Sequence, residues 1–289
     1  MRYGPLPAGM REPCSTPGRL TEMTYTTRTD TPDGQSLTKR ALVYLPHGYD
    51  DKPECRYPVL YLMHGGGGDE NEVFGGFEGA TALKNVLDNA IATGHTCPFI
   101  VVAPTYMVEG IDAARRSIEV AVRLTHRFPQ ELVNDLIPAV DAAFRTVPER
   151  HARAFSGFSM GGETTWSVAA QALTHVGSII PLSGDYWAMG LRGGETYPEE
   201  TVDALLDAIR SQGIPPQECR IMAFTGDQDI AFPALRPMLE ALARRNVFSL
   251  RETPVDGCLT WCVKPAGQHT YDDCWEYLWL AMPRLFLHS

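Results

Sequence analysis

Nowhere in the 289 residues do lysine and arginine cluster, and the chain carries 25 of them against 35 aspartates and glutamates, a formal net charge of −10. A nucleic-acid surface needs grouped cations to replace the counterions of the phosphate backbone, so that partner class is excluded. Long apolar runs are missing too. None approaches the roughly 18 residues that a membrane-crossing helix requires, and no membrane partner is expected. The first twenty residues lack a basic start followed by an apolar stretch, so no secretory leader is read; a cytoplasmic location is expected, with secretion after removal of a leader as the alternative. Seven cysteines are too few for a disulfide scaffold in a chain of this length, and their odd number leaves at least one unpaired. Repeats and low-complexity tracts are absent as well.

What is present is the alternation of an α/β protein. Residues 1–19, rich in Gly and Pro, read as an irregular lead-in, and residues 20–289 as a single domain. Leu20–Arg28 and Lys39–Pro46 are β-rich and flank the turn-forming Thr29-Asp-Thr-Pro-Asp-Gly34, which predicts an antiparallel pair at a sheet edge. Pro58–Met63 and Phe99–Ala103 are short and wholly apolar, the pattern of strands covered on both faces. Helical spacing between them, over Thr81–Thr93, implies a right-handed crossover and a parallel sheet.

The alternation continues with a helix over Arg116–Phe144, interrupted at Pro129, a strand over Ala154–Phe158, a helix over Met160–His175 and a strand over Gly177–Leu182. A helix over Thr201–Ser211, a strand over Arg220–Thr225, a helix over Phe232–Arg245, a last strand over Val247–Thr253 and a last helix over Tyr271–Leu287 complete it. The expected fold is a doubly wound, mostly parallel sheet with antiparallel N-terminal strands, which by alternation alone a dinucleotide-binding fold would also satisfy.

Chemistry enters at Gly157-Phe-Ser159-Met-Gly161, a Gly-x-Ser-x-Gly motif set between a predicted strand and a predicted helix. In that context the glycines permit a turn so sharp that the serine hydroxyl stands exposed at the head of the helix, where the helix N-terminus favours developing negative charge. A serine that merely caps a helix is the plainer alternative. A second element argues against it: the buried strand ending at Met63 runs into His64-Gly-Gly-Gly-Gly68. Acyl transfer needs two backbone N–H groups aimed at the oxygen that gathers charge, and glycine lets the chain approach closely. Met160 and Gly66 are the expected donors. A phosphate loop is the competing reading of the glycines, but no Gly-Lys-Ser/Thr follows and Asp69 and Glu70 would repel phosphate.

A serine hydroxyl needs a base, and the base needs a carboxylate to orient it. Of the histidines after Ser159, His175 falls at the far end of the following helix and His288 at the C-terminus, which leaves His269 in the loop before the last helix. Asp227 and Asp229, in Thr225-Gly-Asp-Gln-Asp-Ile230, both follow a strand; Asp229 is preferred as nearer the next helix, with Asp227 read as a turn-former and Asp185 as a third candidate. Cys258, Cys262, His269 and Cys274 lie close enough to suggest zinc, yet they lack two tight ligand pairs, so buried thiols and no metal are expected.

With these residues together, the chain resembles the carbohydrate esterase family that contains feruloyl and acetyl xylan esterases, and within it the feruloyl esterase modules attached to clostridial xylanases. The resemblance runs from about Leu20 onward. It rests on Ala41–Tyr49, on Val59–Gly68, on Gly157–Gly162 and on Pro181-Leu-Ser-Gly-Asp-Tyr-Trp187. It implies an α/β-hydrolase fold, no cofactor, and a triad of Ser159 as nucleophile, Asp229 as acid and His269 as base. It also implies that Trp187 flanks the phenolic ring of a substrate; Tyr106, at the end of another strand, is a further pocket candidate. The expected partner is a small-molecule or oligosaccharide hydroxycinnamate ester. A short-chain acyl ester, acetyl xylan or a thioester is the alternative substrate, and a catalytically silent binding module the alternative of another class. Two departures stand out: Thr270-Tyr-Asp-Asp-Cys274 follows His269 where relatives carry aromatic residues directly, and no xylanase module is read within these 289 residues.

Overall fold

The structure is a computed structural model that describes residues 1–29, 35–107, 117–255 and 257–286. Its centre is a nine-stranded sheet in the order β1-β2-β4-β3-β5-β6-β7-β9-β8. The strands are β1 (Arg19–Thr27), β2 (Leu37–Leu45), β3 (Val59–Met63), β4 (Ile100–Ala103), β5 (Arg153–Phe158), β6 (Ser178–Leu182), β7 (Arg220–Gly226), β8 (Ser249–Leu250) and β9 (Cys258–Lys264). β1 pairs antiparallel with β2, and β2 antiparallel with β4; all the other pairings are parallel. This is the mostly parallel, doubly wound sheet with antiparallel N-terminal strands that the sequence predicts. The turn proposed between the first two strands lies mostly outside the described residues.

Both faces of the sheet are covered, which is why the central strands read as unbroken apolar runs. Along β3, Val59, Tyr61 and Met63 face one core, while Leu60 and Leu62 face the other. The first core is closed by α2 (Ile118–Glu131), α3 (Ile137–Ala143), α4 (Met160–Gln171), α6 (Pro198–Ser211) and α7 (Phe232–Arg244), the short α5 (Gly193–Thr196) lying beside them. α1 (Leu83–Ala92) and α8 (Tyr271–Ala281) close the second. The parallel strands all point one way, so the loops after β3, β5, β6, β7 and β9 open on a single edge of the sheet, where this architecture places its ligands.

Three element expectations need correction. α2 runs through Pro129 without breaking, and the chain then widens into a π-helical stretch over Leu132–Leu136 before α3. The π stretch lies just ahead of Pro138: the Pro138 ring crowds the carbonyl four residues back, at Asn134, and the wider turn accommodates it. The strand expected over Val247–Thr253 shrinks to Ser249–Leu250. The strand that leads to His269 is instead β9, unforeseen because Cys258-Leu-Thr-Trp-Cys-Val-Lys264 neither alternates nor runs apolar throughout. Its pairing with β7 along all seven residues makes it a strand.

Candidate active site

Ser159 sits between β5 and α4 with φ 57° and ψ −117°, a conformation that side chains other than glycine avoid. Close packing imposes it. A Cβ on Gly157 would stand 2.5 Å from the Gly161 carbonyl oxygen, and one on Gly161 would stand 2.6 Å from the carbonyl oxygens of Met63 and His64. Both glycines of the motif are therefore required by neighbouring backbone. The Ser159 N–H donates to the Leu182 carbonyl at 2.9 Å, tying the elbow to the end of β6.

His269 Nε2 lies 2.9 Å from Ser159 Oγ, and its Nδ1 lies 2.7 Å from Asp229 Oδ1. A carboxylate only accepts, so Nδ1 carries a proton, and in the neutral ring Nε2 is left to accept from the serine hydroxyl. Three distant segments thus converge into one relay. Asp229, only 3% exposed, is further held by the Ala231 N–H, which donates to the same Oδ1 at 2.8 Å. The Phe158 ring packs against the His269 ring with centroids 4.5 Å apart.

The other two carboxylates weighed against Asp229 have separate tasks. Asp227 does not bond its own turn: its Oδ1 accepts the Ala266 N–H at 2.7 Å, pinning the loop that carries His269. Asp185 is buried beside the site, where Oδ2 accepts the Gly194 N–H at 2.9 Å and Oδ1 the Trp187 indole N–H at 3.2 Å. Burial pushes its carboxyl up to about 6, against the pull of those two donors.

A pocket of about 220 Å³ opens beside Ser159 and His269, with Asp185, Trp187, Leu191, Arg192, Ile230 and Ala234 in its walls. Trp187, which the resemblance sets against a substrate's phenolic ring, is on the pocket wall. Tyr106 is not: it is 2% exposed and lies beneath the glycine loop, with its hydroxyl donating to the Gly65 carbonyl at 2.6 Å. Ending a strand at the functional edge brought it near the site, but underneath it.

Gly66 is next to Met160, since a Cβ on Gly66 would stand 3.8 Å from the Met160 Cβ. Tyr271, which the sequence reading passes over, accepts the Gly65 N–H at 2.9 Å and packs its ring 4.8 Å from that of Phe158. Its signal is its place two residues after the histidine, at the start of α8. The cysteines of the zinc reading are buried free thiols, and the described residues hold no group of three His, Cys, Asp or Glu arranged to bind a metal.

A sequence profile described as "Putative esterase" matches residues 38–246. The chain belongs to this esterase family. Endo-1,4-beta-xylanase Y of Acetivibrio thermocellus is 33% identical to this chain over 296 residues, which cover 99% of this chain and 25% of that protein. An endo-1,4-beta-xylanase/feruloyl esterase of Xylanibacter ruminicola is 37% identical over 167 residues, 56% of this chain and 20% of that one. The chain thus spans a quarter or less of these curated relatives. Among solved structures, a mutant of the feruloyl esterase module from Clostridium thermocellum, complexed with sinapinate, superposes with a TM-score of 0.81 at 32% identity, covering 100% of this chain and 96% of that one. The chain has the α/β-hydrolase fold.

Proposed function

We propose that the protein is a serine esterase that hydrolyses hydroxycinnamate esters of sugars or small alcohols through an acyl-enzyme. The observation that carries this reading is the Ser159–His269–Asp229 relay, with both hydrogen bonds formed. The choice of acyl group rests on the pocket, whose walls of Trp187, Leu191 and Ile230 suit a planar aromatic group, and on the sinapinate bound by a relative.

Chemistry follows from the geometry. Ser159 Oγ attacks the ester carbonyl as its proton passes to His269 Nε2, and Asp229 stabilises the imidazolium through Nδ1. The oxyanion is held by the N–H groups of Met160, at the head of α4, and Gly66. His269 returns the proton to the departing alcohol. Water, activated by the same imidazole, then releases the acid and restores Ser159.

The test compares purified protein on methyl ferulate and 4-nitrophenyl acetate. A higher kcat/KM on the ferulate is expected. Ser159→Ala and His269→Ala should each remove roughly 10⁵-fold or more of kcat, and Asp229→Ala a smaller factor, because it orients the base without taking its proton. Turnover that survives in Ser159→Ala would refute the mechanism; an acetate preference would refute the acyl assignment and leave the mechanism standing.

A further inference from the structure

An amide in a run of glycines has no intrinsic reason to point one way. Glycine visits both signs of φ with little penalty, and Gly67 has φ 82°. If the peptide joining Gly65 and Gly66 turned over, its carbonyl oxygen would face the place where the oxyanion forms, and repulsion would replace stabilisation.

What prevents this lies under the loop. The Gly65 carbonyl oxygen accepts from the Tyr106 hydroxyl at 2.6 Å and from His64 Nδ1 at 2.7 Å, two donors for two lone pairs. Because a carbonyl only accepts, Nδ1 bears the proton, and in the neutral ring Nε2 accepts from the Thr105 hydroxyl at 2.8 Å. Thr105 Oγ1 in turn accepts the Met107 N–H at 3.0 Å, which leaves the threonine proton free to reach His64. Tyr106 and His64 also pack together, with ring centroids 4.5 Å apart. A trans peptide carries its C=O and the following N–H on opposite edges of one plane. Drawing the Gly65 carbonyl down towards Tyr106 and His64 therefore turns the Gly66 N–H up, on the side away from the buried network. On the other flank, the Gly65 N–H is tied to Tyr271, which fixes the preceding peptide as well.

We propose that Tyr106 is a positioning residue of the site: its hydroxyl, together with His64 held by Thr105, clamps the Gly65 carbonyl and so aims the Gly66 N–H at the oxyanion. This rests on the esterase reading above.

Tyr106→Phe keeps the ring and its packing and removes only the hydroxyl. Five quantities are measured on the variant and the wild type: kcat and KM on methyl ferulate, inhibition by an arylboronic acid, binding of free ferulate, and Tm. The boronic acid forms a tetrahedral adduct on Ser159 and probes the oxyanion site; planar ferulate probes the pocket alone. The expected result is a fall in kcat of about 10- to 100-fold, within the range for losing an oxyanion donor. Boronate affinity should weaken by a similar factor, while KM, ferulate binding and Tm change little. Thr105→Val, which unties His64, should show the same split to a smaller degree and serves if Tyr106→Phe folds poorly. Unchanged kcat and boronate affinity in an active enzyme would overturn the clamp alone, as would equal weakening of boronate and ferulate. A wild type that turns over no ester and does not react with the boronate would overturn the esterase reading, and the clamp with it.

Discussion

Three aspartates follow parallel strands at the functional edge, and their surroundings divide the work among them. Asp229 is buried against His269, Asp227 is exposed and holds a loop, and Asp185 is buried in the pocket wall with both oxygens engaged by N–H donors. The Asp185 carboxyl is raised from 3.8 to about 6, with desolvation as the largest cause and the buried Glu163 adding to it. A raised acid holds its proton more tightly in the folded chain than in the unfolded one. Its contribution to stability is therefore best below the unfolded value and is lost as pH rises from about 4 through about 6. Asp185→Asn, which does not titrate, should gain on the wild type by about 2 kcal/mol between pH 4.5 and pH 7, most of the roughly 3 kcal/mol that moving a carboxyl's titration by about two on the pH scale is worth. Urea unfolding of both proteins at pH 4.5 and pH 7 reads the difference. A gap between them that stays constant with pH would show that the fold does not raise the Asp185 carboxyl.

At the scale of elements, the loop between β9 and α8 decides where the imidazole stands. It is pinned from both ends. The Asp227 side chain takes the Ala266 N–H, and the Gln228 N–H donates to the Gly267 carbonyl at 3.0 Å. At the other end the Thr270 hydroxyl caps α8 by accepting the Asp273 N–H at 3.2 Å. Ala266 takes a positive φ of 55°, an unfavourable conformation for a residue with a side chain and one that the Asp227 bond helps to hold. Asp227→Ala should therefore lower kcat about 10-fold through misplacement of His269, with KM and Tm nearly unchanged. Steady-state kinetics beside a melting curve checks this, and equal kcat in the two proteins would remove Asp227 from the account.

The same loop marks what could and could not be read in advance. Ser159, His269 and the glycine loop were legible because their chemistry restricts both residue type and place, whatever packs around them. β9 was not, because its seven residues become a strand only through pairing with the distant β7. Tyr106 was legible as near the site but not on which side of the loop it falls, since strand ends indicate an edge and not a depth. Pro129 misled because a proline costs a helix one N–H and crowds one carbonyl, a local penalty that the packing of a long amphipathic helix can outweigh.

For the whole molecule, the sheet and its two helical layers are joined by a part with no helix or strand of its own. Residues 1–18 lie across α1 and α8. The Arg11 carbonyl accepts from Asn85 and the Glu12 carbonyl from Asn89, each at 2.9 Å, and Arg11 pairs with Asp272 at 2.8 Å. The Tyr3 hydroxyl donates to Glu276, and the Gly18 N–H donates at 2.7 Å to the buried Asp88, which also takes the Tyr44 hydroxyl and Lys84. Met1, Tyr3, Leu6 and Met10 pack on the core that contains Trp275 and Trp279. Surface ion pairs such as Arg11–Asp272 contribute little, so the holding energy comes from the apolar side chains and the buried bonds to Asp88. Deleting residues 2–16 uncovers that core and should cost about 3 kcal/mol, equivalent to a Tm lowered by roughly 5–10 °C in a chain of this size. The segment meets β9 through the Met1 amino group, which donates to the Trp261 carbonyl at 2.8 Å, and through the Tyr3 ring beside Lys264, but it makes no hydrogen bond to Ser159, Asp229 or His269, so kcat measured well below the new Tm should stay within about twofold of the full chain. Calorimetry and methyl ferulate kinetics on the truncated protein separate the two effects. An unchanged Tm would mean that residues 1–18 merely rest on the surface, and a collapsed kcat at low temperature would mean that α8 carries their loss through to His269.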